Sequence, residues 1–266
     1  MKKNNILLII LIVVLIVGIG VVLYGLYGTQ STKLKSVNDT SKDVIKKIQK
    51  PIATIEMLDM GIITVELEPE IAPQSVANFI TLSNSGFYDG LTFHRVIPDF
   101  MVQGGDKAGT GSGAFEYCIK GEFTANRVAN SLKHKRGVIS MARSDYSQYG
   151  AGFEQYSYNS AGSQFFIMTK DTKSLDGYYA PFGTVLEGMD IVDQIANVEV
   201  ITKEVGAEGQ DKPVSPPTIK SIKVETYGVD YREPEKLEPF DYYKWIYENY
   251  GIDYNQIMNQ QDYTIE

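Results

Sequence analysis

Cysteine occurs once in these 266 residues, at Cys118, and histidine only twice, at His94 and His134. A lone thiol excludes an intrachain disulfide framework and any multi-cysteine metal site. Two histidines are too few for a histidine-rich metal site, so no metal is expected. Cys118 itself reads as a small buried filler rather than a nucleophile. Positive charge is in deficit too: 25 Lys and Arg stand against 33 Asp and Glu, for a formal charge of −8. No dense Lys/Arg cluster offsets this, which argues against a nucleic-acid partner. Internal repeats are missing as well. With 43% hydrophobic residues, the chain has ordinary globular composition and room for one sizeable core plus appendages.

One apolar run stands out against this background. Ile6 to Tyr27 contains no charged residue and is almost wholly aliphatic. At about 1.5 Å per residue a helix of this length spans about 33 Å, enough for a hydrocarbon core of about 30 Å. A cleavable signal peptide, leaving a secreted soluble protein, is the rival. Its apolar region usually covers about 7–15 residues. Gly25-Leu26-Tyr27-Gly28 is a poor cleavage site, and no cysteine follows closely enough for a lipoprotein. The expectation is therefore an uncleaved transmembrane helix that contacts the lipid bilayer through residues 6–27. Lys2 and Lys3 favour a cytoplasmic N-terminus, whereas Lys33, Lys35, Lys42, Lys46 and Lys47 follow the span. A five-residue stub is easily retained, and large domains translocate largely regardless of charge. A single-pass cell-membrane protein with its main domain outside the cytoplasm is expected, in keeping with a bacterium that has a single-membrane envelope.

The organisation then reads as a stub (1–5), an anchor (6–27), a polar tether (28–50), a main domain (51–226) and a Tyr-rich acidic extension (227–266). The tether is rich in Ser, Thr, Asn, Asp and Lys, with at most a short polar helix around Ser41–Gln49. In the main domain, Ala53–Leu58 and Gly61–Leu67 form a hairpin around Asp59-Met60-Gly61. Pro73 opens a helix whose apolar face is Val76, Phe79, Ile80 and Leu82. Short strands follow at Thr92–Ile97, Asp99–Gly104, Gly137–Met141, Ser163–Thr169, Pro181–Leu186 and Thr218–Thr226, with a second helix at Met189–Ala196. Many short strands punctuated by glycine, with few helices, predict a mainly β fold closed as a barrel. Phe240, Tyr243, Trp245, Ile246 and Tyr250 line one side of a helix predicted at Pro239–Tyr250. That helix either packs on the barrel or the membrane-proximal surface, or serves as a partner-binding element.

The chemistry is concentrated in Phe93-His94-Arg95-Val96-Ile97-Pro98-Asp99-Phe100-Met101-Val102-Gln103-Gly104-Gly105. This run carries one guanidinium, large apolar side chains and an amide donor, a set suited to a proline ring and the peptide bond before it. Rotation about a peptide bond must break amide resonance, a barrier of roughly 18–20 kcal/mol. No covalent bond changes, so neither a nucleophile nor a cofactor is needed. An apolar slot must hold the ring. A cation or donor must favour the pyramidal, electron-rich nitrogen of the twisted state over the planar amide.

The same run, continued to Asp106, resembles the signature of the cyclophilin-type peptidyl-prolyl isomerases. Gly109-Thr110-Gly111, Ile139-Ser140-Met141-Ala142, Asn159-Ser160-Ala161-Gly162-Ser163-Gln164-Phe165-Phe166-Ile167 and Leu175-Asp176-Gly177…Phe182-Gly183 follow in the family's order. The resemblance runs from about Ile52 to Val224. It implies a closed eight-stranded antiparallel barrel capped by two helices, peptidyl-prolyl isomerase activity without a cofactor, and proline-containing polypeptide clients. By resemblance Arg95 is the catalytic cation and Gln103 holds Arg95 or the substrate backbone. Phe100, Met101, Phe166 and Leu175 wall the proline slot, with Tyr179 closing it and Gln164 beside it. Gly109 and Ala142, with the backbone at Arg143, form the channel for residues preceding the proline. His94 reads as structural.

Three positions depart from the best-known members. Ser174 replaces a tryptophan, which implies weak cyclosporin binding, Tyr179 replaces a histidine, and Arg143 an asparagine. The connection Asp145–Tyr158 is longer than in typical members and rich in Gly and Tyr; it is either a selector of extended clients or a plain surface loop. Gly109-Thr110-Gly111-Ser112-Gly113 lacks the Lys-Ser/Thr of a phosphate loop. Gly162-Ser163-Gln164 lacks the second glycine of a nucleophile elbow. The implied function is assistance to folding of exported proteins at the outer membrane face. The rival is a non-catalytic scaffold on the same fold that binds proline-containing segments.

Overall fold

Alternation in the first hairpin decides which side chains face inward. In β1 (Ile52–Met57) and β2 (Gly61–Leu67), Ala53, Ile55, Met57, Ile63, Val65 and Leu67 are buried, while Thr54, Glu56, Thr64 and Glu66 are half-buried. The period of two places one face of each strand in the core. In the computed structural model, residues 49–113, 115–201, 204 and 210–252 are described. The expected anchor at 6–27 and the tether up to residue 48 lie outside the described residues. Among the described residues no helix is long and apolar enough to cross a membrane.

Six further strands complete the sheet: β3 (Phe93–Ile97), β4 (Met101–Gly104), β5 (Val138–Met141), β6 (Phe165–Met168), β7 (Ala180–Glu187) and β8 (Ile219–Glu225). All neighbours are antiparallel, in the order β3-β4-β6-β5-β7-β2-β1-β8. The two edge strands meet through a single bridge between Thr92 and Thr218, flanked by Ile219 N–H donating to Leu91 O at 2.7 Å. The sheet is thus a strongly curled half-barrel, and the edges are joined by this bridge and three backbone hydrogen bonds, Gly90 N–H to Ile219 O, Ile219 N–H to Leu91 O and Phe93 N–H to Pro217 O, rather than by a full ladder. Strand β4 begins at Met101 rather than Asp99 because Asp99 turns the chain with a φ of +57°. That left-handed conformation is one aspartate tolerates.

Helix α1 (Pro73–Asn84) starts on a first-turn proline and has no side-chain cap from its own flank. The cap comes from a distance. Glu122, buried, accepts from the backbone N–H of Gln74 and Ser75 at 2.9 and 2.8 Å and from the Ser75 hydroxyl at 2.7 Å. Burial pushes its carboxyl up from the usual range, with these three donors pulling the other way. A carboxylate here meets both the orphan N–H groups and the positive end of the helix dipole. Phe79 from α1 packs on Tyr88, Phe165 and Phe182 at 5.3–5.4 Å between ring centroids.

Three more helices follow: α2 (Glu154–Tyr158), α3 (Met189–Ala196) and α4 (Tyr242–Tyr250). The long connection after Asp145 is therefore partly helical, pinned by buried Phe153 and Ser157. Helix α4 starts three residues later than Pro239. Asp241 caps it, its carboxylate accepting from the N–H of Tyr243 and Lys244 at 2.9 and 3.0 Å. Residues 50–226 and 230–252 belong to one compact unit.

Candidate active site

Strands β3, β4 and β6 sort their residues by parity. Val96, Val102, Phe165 and Ile167 point into the main core. Their neighbours Met101, Phe166 and Met168 form a separate apolar cluster with Val138, against which Ile97, Phe100, Ala142, Leu175 and Tyr179 pack. The register places Arg95 opposite Gln103 and Gln103 opposite Phe166. A guanidinium, an amide and an aromatic ring thus stand side by side across three strands.

These side chains enclose a pocket of about 180 Å³ lined by Arg95, Phe100, Met101, Gln103, Ala142, Arg143, Phe166, Leu175 and Tyr179. Nine of the eleven expected site residues therefore meet in one place. The other two are Gln164, expected beside the slot and found there, and Gly109, expected in the channel. Gln164 stands beside the pocket, its Oε1 accepting from Gln103 Nε2 at 2.8 Å and its Nε2 donating to Gly111 O at 3.2 Å. Gly109 lies in the loop after Asp106 but lines neither this pocket nor the neighbouring cleft; Gly111, Ser112 and Gly113 line that cleft instead. Asp106 sets the loop's shape. Burial pushes its carboxyl up, but the backbone N–H groups of Ala108, Thr110, Gly111 and Gly113 outweigh this and hold it below the usual carboxylate range. Gly105 opens the loop with a φ of +87°, and a Cβ there would lie 2.5 Å from Ser163 O.

Arg95 is held by a residue that the sequence reading missed. Its Nη2 lies 3.4 Å from Oδ2 of Asp211, whose side chain is almost fully buried, and Val96 N–H donates to Asp211 O at 2.8 Å. Gln103 pairs with Gln164 rather than with Arg95. Asp211 is 116 positions away in an irregular segment, with no periodic or motif signal to mark it.

A family model for the "Cyclophilin type peptidyl-prolyl cis-trans isomerase/CLD" matches residues 52–224. The chain belongs to the cyclophilin-type peptidyl-prolyl cis–trans isomerases. Peptidyl-prolyl cis-trans isomerase B of Bacillus subtilis is 44% identical over 144 residues, covering 54% of this chain and 89% of its own. A peptidyl-prolyl cis-trans isomerase of Helicobacter pylori strain J99 is 43% identical over 155 residues, covering 58% and 85%. A Cryptosporidium parvum cyclophilin crystallised in the presence of the dipeptide Ala-Pro superimposes with a TM-score of 0.54 at 29% identity, covering 65% of this chain and 98% of that one.

Behind the slot this cyclophilin carries a group that looks like a hydrolase triad. His134 Nδ1 lies 3.1 Å from Asp176 Oδ1, and Nε2 lies 3.2 Å from the Ser140 hydroxyl. Ser140 is fully buried, so no substrate atom reaches it. The imidazole stacks on Phe166, with centroids 6.0 Å apart and rings 16° from parallel. The group is a support for the slot wall. Cys118 is equally inert: burial pushes its thiol up to about 11.

Both imidazoles of the cyclophilin are buried, and burial pushes each below its ordinary value. The Asp106 charge opposes the shift at His94, and Asp176 opposes it at His134. The unfolded chain therefore takes up protons first as pH falls below about 6.5. Stability from keeping both rings neutral is complete above that pH and is lost as pH falls through their folded values. Glu122 acts in the opposite sense at lower pH, because its folded form prefers the proton. The urea midpoint is therefore expected to drop between pH 7.5 and 6; a midpoint that rises over this interval would contradict the assignment.

Proposed function

We propose that this cyclophilin accelerates rotation about X-Pro bonds of exported polypeptides at the outer face of the membrane in which its residues 6–27 are anchored. The observation that carries the catalytic part is one pocket holding Arg95 together with Phe100, Met101, Phe166 and Leu175. The proline ring enters the apolar slot between these side chains. Arg95 then faces the proline carbonyl and the imide nitrogen. As the bond twists, the nitrogen gains a lone pair that a planar amide lacks, and a fixed cation favours that state over the ground state. Lowering the barrier by about 7 kcal/mol speeds exchange by about 10⁵. The Ala-Pro dipeptide used with the Cryptosporidium relative supports proline peptides as the substrate class.

The membrane part is supported by the uncharged run Ile6–Tyr27 and the short lysine-bearing stub before it. In cells expressing the full chain, the protein is expected to stay in the membrane pellet after a carbonate wash. External protease should degrade the isomerase domain in intact cells. Full protection from protease until lysis would overturn the outward orientation.

A further inference from the structure

Arg95 is a long side chain at the rim of the slot, and the backbone of β3 alone does not aim it. Its guanidinium is 43% exposed. Gln103, the neighbour expected to hold it, is committed to Gln164 at 2.8 Å. Arg143 is turned to Tyr178 O and the Tyr179 ring. Among the described residues the Arg95 guanidinium has one polar partner, Oδ2 of Asp211, 3.4 Å from Nη2. That contact uses one of the five N–H donors of a guanidinium, so the others stay free for a substrate.

Asp211 is placed by its backbone. The outer edge of β3 is covered by the segment 211–217: Val96 N–H donates to Asp211 O at 2.8 Å and Phe93 N–H to Pro217 O at 2.9 Å. The same segment is tied down behind. Ile201 N–H donates to Lys212 O at 2.8 Å and Val214 N–H to Glu199 O at 2.9 Å, on either side of the Val200–Pro213 bridge. Asp211 has a φ of +59°, a left-handed conformation open to aspartate and freely available to glycine. Its carboxylate is only 8% exposed. The anchored end of the pair is therefore the anion, and the rotamer-rich end is the cation.

We propose that Asp211 is a positioning residue for the isomerisation: it holds the Arg95 guanidinium over the slot before the substrate arrives. The proposal rests on the isomerase reading. Asp211 does not line the slot, so it acts through Arg95 and not on the peptide. An arginine without this partner samples rotamers that point into water, and only those aimed at the imide nitrogen stabilise the twisted bond. A cation fixed in advance costs no reordering when the bond twists. The proline ring is held by Phe100, Met101, Phe166 and Leu175, so removing Asp211 should act on kcat rather than on KM.

The experiment uses the full chain in detergent micelles and measures turnover of Ala-Pro peptides by exchange spectroscopy, per folded binding site. Asp211→Gly suits the left-handed backbone and leaves no buried charge behind, because Arg95 reaches solvent. It is expected to lower kcat about tenfold with KM unchanged. In an Arg95→Ala background, assayed at raised enzyme concentration, Asp211→Gly should change kcat by less than about twofold, because no guanidinium remains to be aimed. A residue that merely supports the fold lowers activity by the same factor in both backgrounds.

A second measurement needs no Asp211 variant and so decides the matter if Asp211→Gly fails to fold. In the nitrogen-15 spectrum of the parent protein, the Arg95 guanidinium signals, identified by their loss in Arg95→Ala, should be resolved as those of a hindered group. Averaged Arg95 signals, an unchanged kcat in Asp211→Gly, a loss confined to KM, or equal factors in the two backgrounds would each overturn the proposal, while turnover by the parent leaves the isomerase reading intact. No turnover of any peptide by the parent would remove both.

Discussion

Replacing Arg95 with alanine is expected to lower kcat/KM for proline peptides by about 100- to 1,000-fold, the usual consequence of deleting a preorganised donor aimed at developing charge. The argument for so large an effect is that nothing else in the slot can take over. The remaining lining is apolar apart from Gln103, Arg143 and the uncharged Tyr179 hydroxyl. Gln103 is occupied by Gln164, and the Arg143 guanidinium is turned to Tyr178 O and the Tyr179 ring. Peptide binding should survive, because Phe100, Met101, Phe166 and Leu175 still hold the proline ring. The loss should therefore appear in kcat, with little change in KM. Arg95→Lys keeps the charge but not the planar fork, and should fall between the two. Arg95 is half exposed but Asp211 is almost fully buried, so Arg95→Ala leaves a buried carboxylate without its partner, and a thermal melt beside the kinetics separates lost folding from lost catalysis. Exchange spectroscopy with a parallel binding titration checks this. A well-folded Arg95→Ala protein within tenfold of the parent would mean that the slot alone twists the bond.

Much of this architecture was readable because it is local. The alternation Ala53, Ile55, Met57 and the helical spacing of Val76, Phe79, Ile80 each leave a period in the sequence, and each element formed within two residues of its expected bounds. The site was readable for a related reason. Arg95, Met101 and Gln103 lie on two strands joined by a tight turn, so a single contiguous run carries half the slot. What the sequence left hidden is what depends on long-range return of the chain. Asp211 reaches Arg95 from an irregular segment, and Glu122 caps α1 from 47 positions away. Neither pairing has a period. The extension shows the same limit: its aromatic spacing predicted a helix, but only the Leu237–Cys118 pairing reveals that Phe240 is brought to the edge of the active site. Loop residues such as Gly109 mislead for the converse reason, since family order fixes their place in the chain and not which of three neighbouring glycines face the cleft; Gly111 and Gly113 do.

Two adjacent phenylalanines should separate stability from catalysis, because strand parity sends them to opposite faces of β6. Phe165 is fully buried in the main core, edge-on to Phe79 and Tyr88 at 5.4 Å and to Phe93 at 6.0 Å. Its replacement by alanine leaves a cavity among rings that cannot collapse together, at a cost of about 3–5 kcal/mol. For a domain of this size that corresponds to a fall in Tm of roughly 6–20 °C. Phe166 faces the other way, between the His134 ring and Tyr179 on the wall of the slot. Phe166→Ala opens the slot to solvent, so it should lose less stability but roughly 10- to 100-fold in kcat/KM as the proline ring loses apolar burial of about 1.5–3 kcal/mol. Thermal melts and exchange rates on the same two proteins provide the comparison. At temperatures where both are folded, Phe165→Ala should stay within a few-fold of parental activity while Phe166→Ala does not. The reverse order would mean that β6 is shifted by one residue in register, exchanging the core face and the site face along the whole strand.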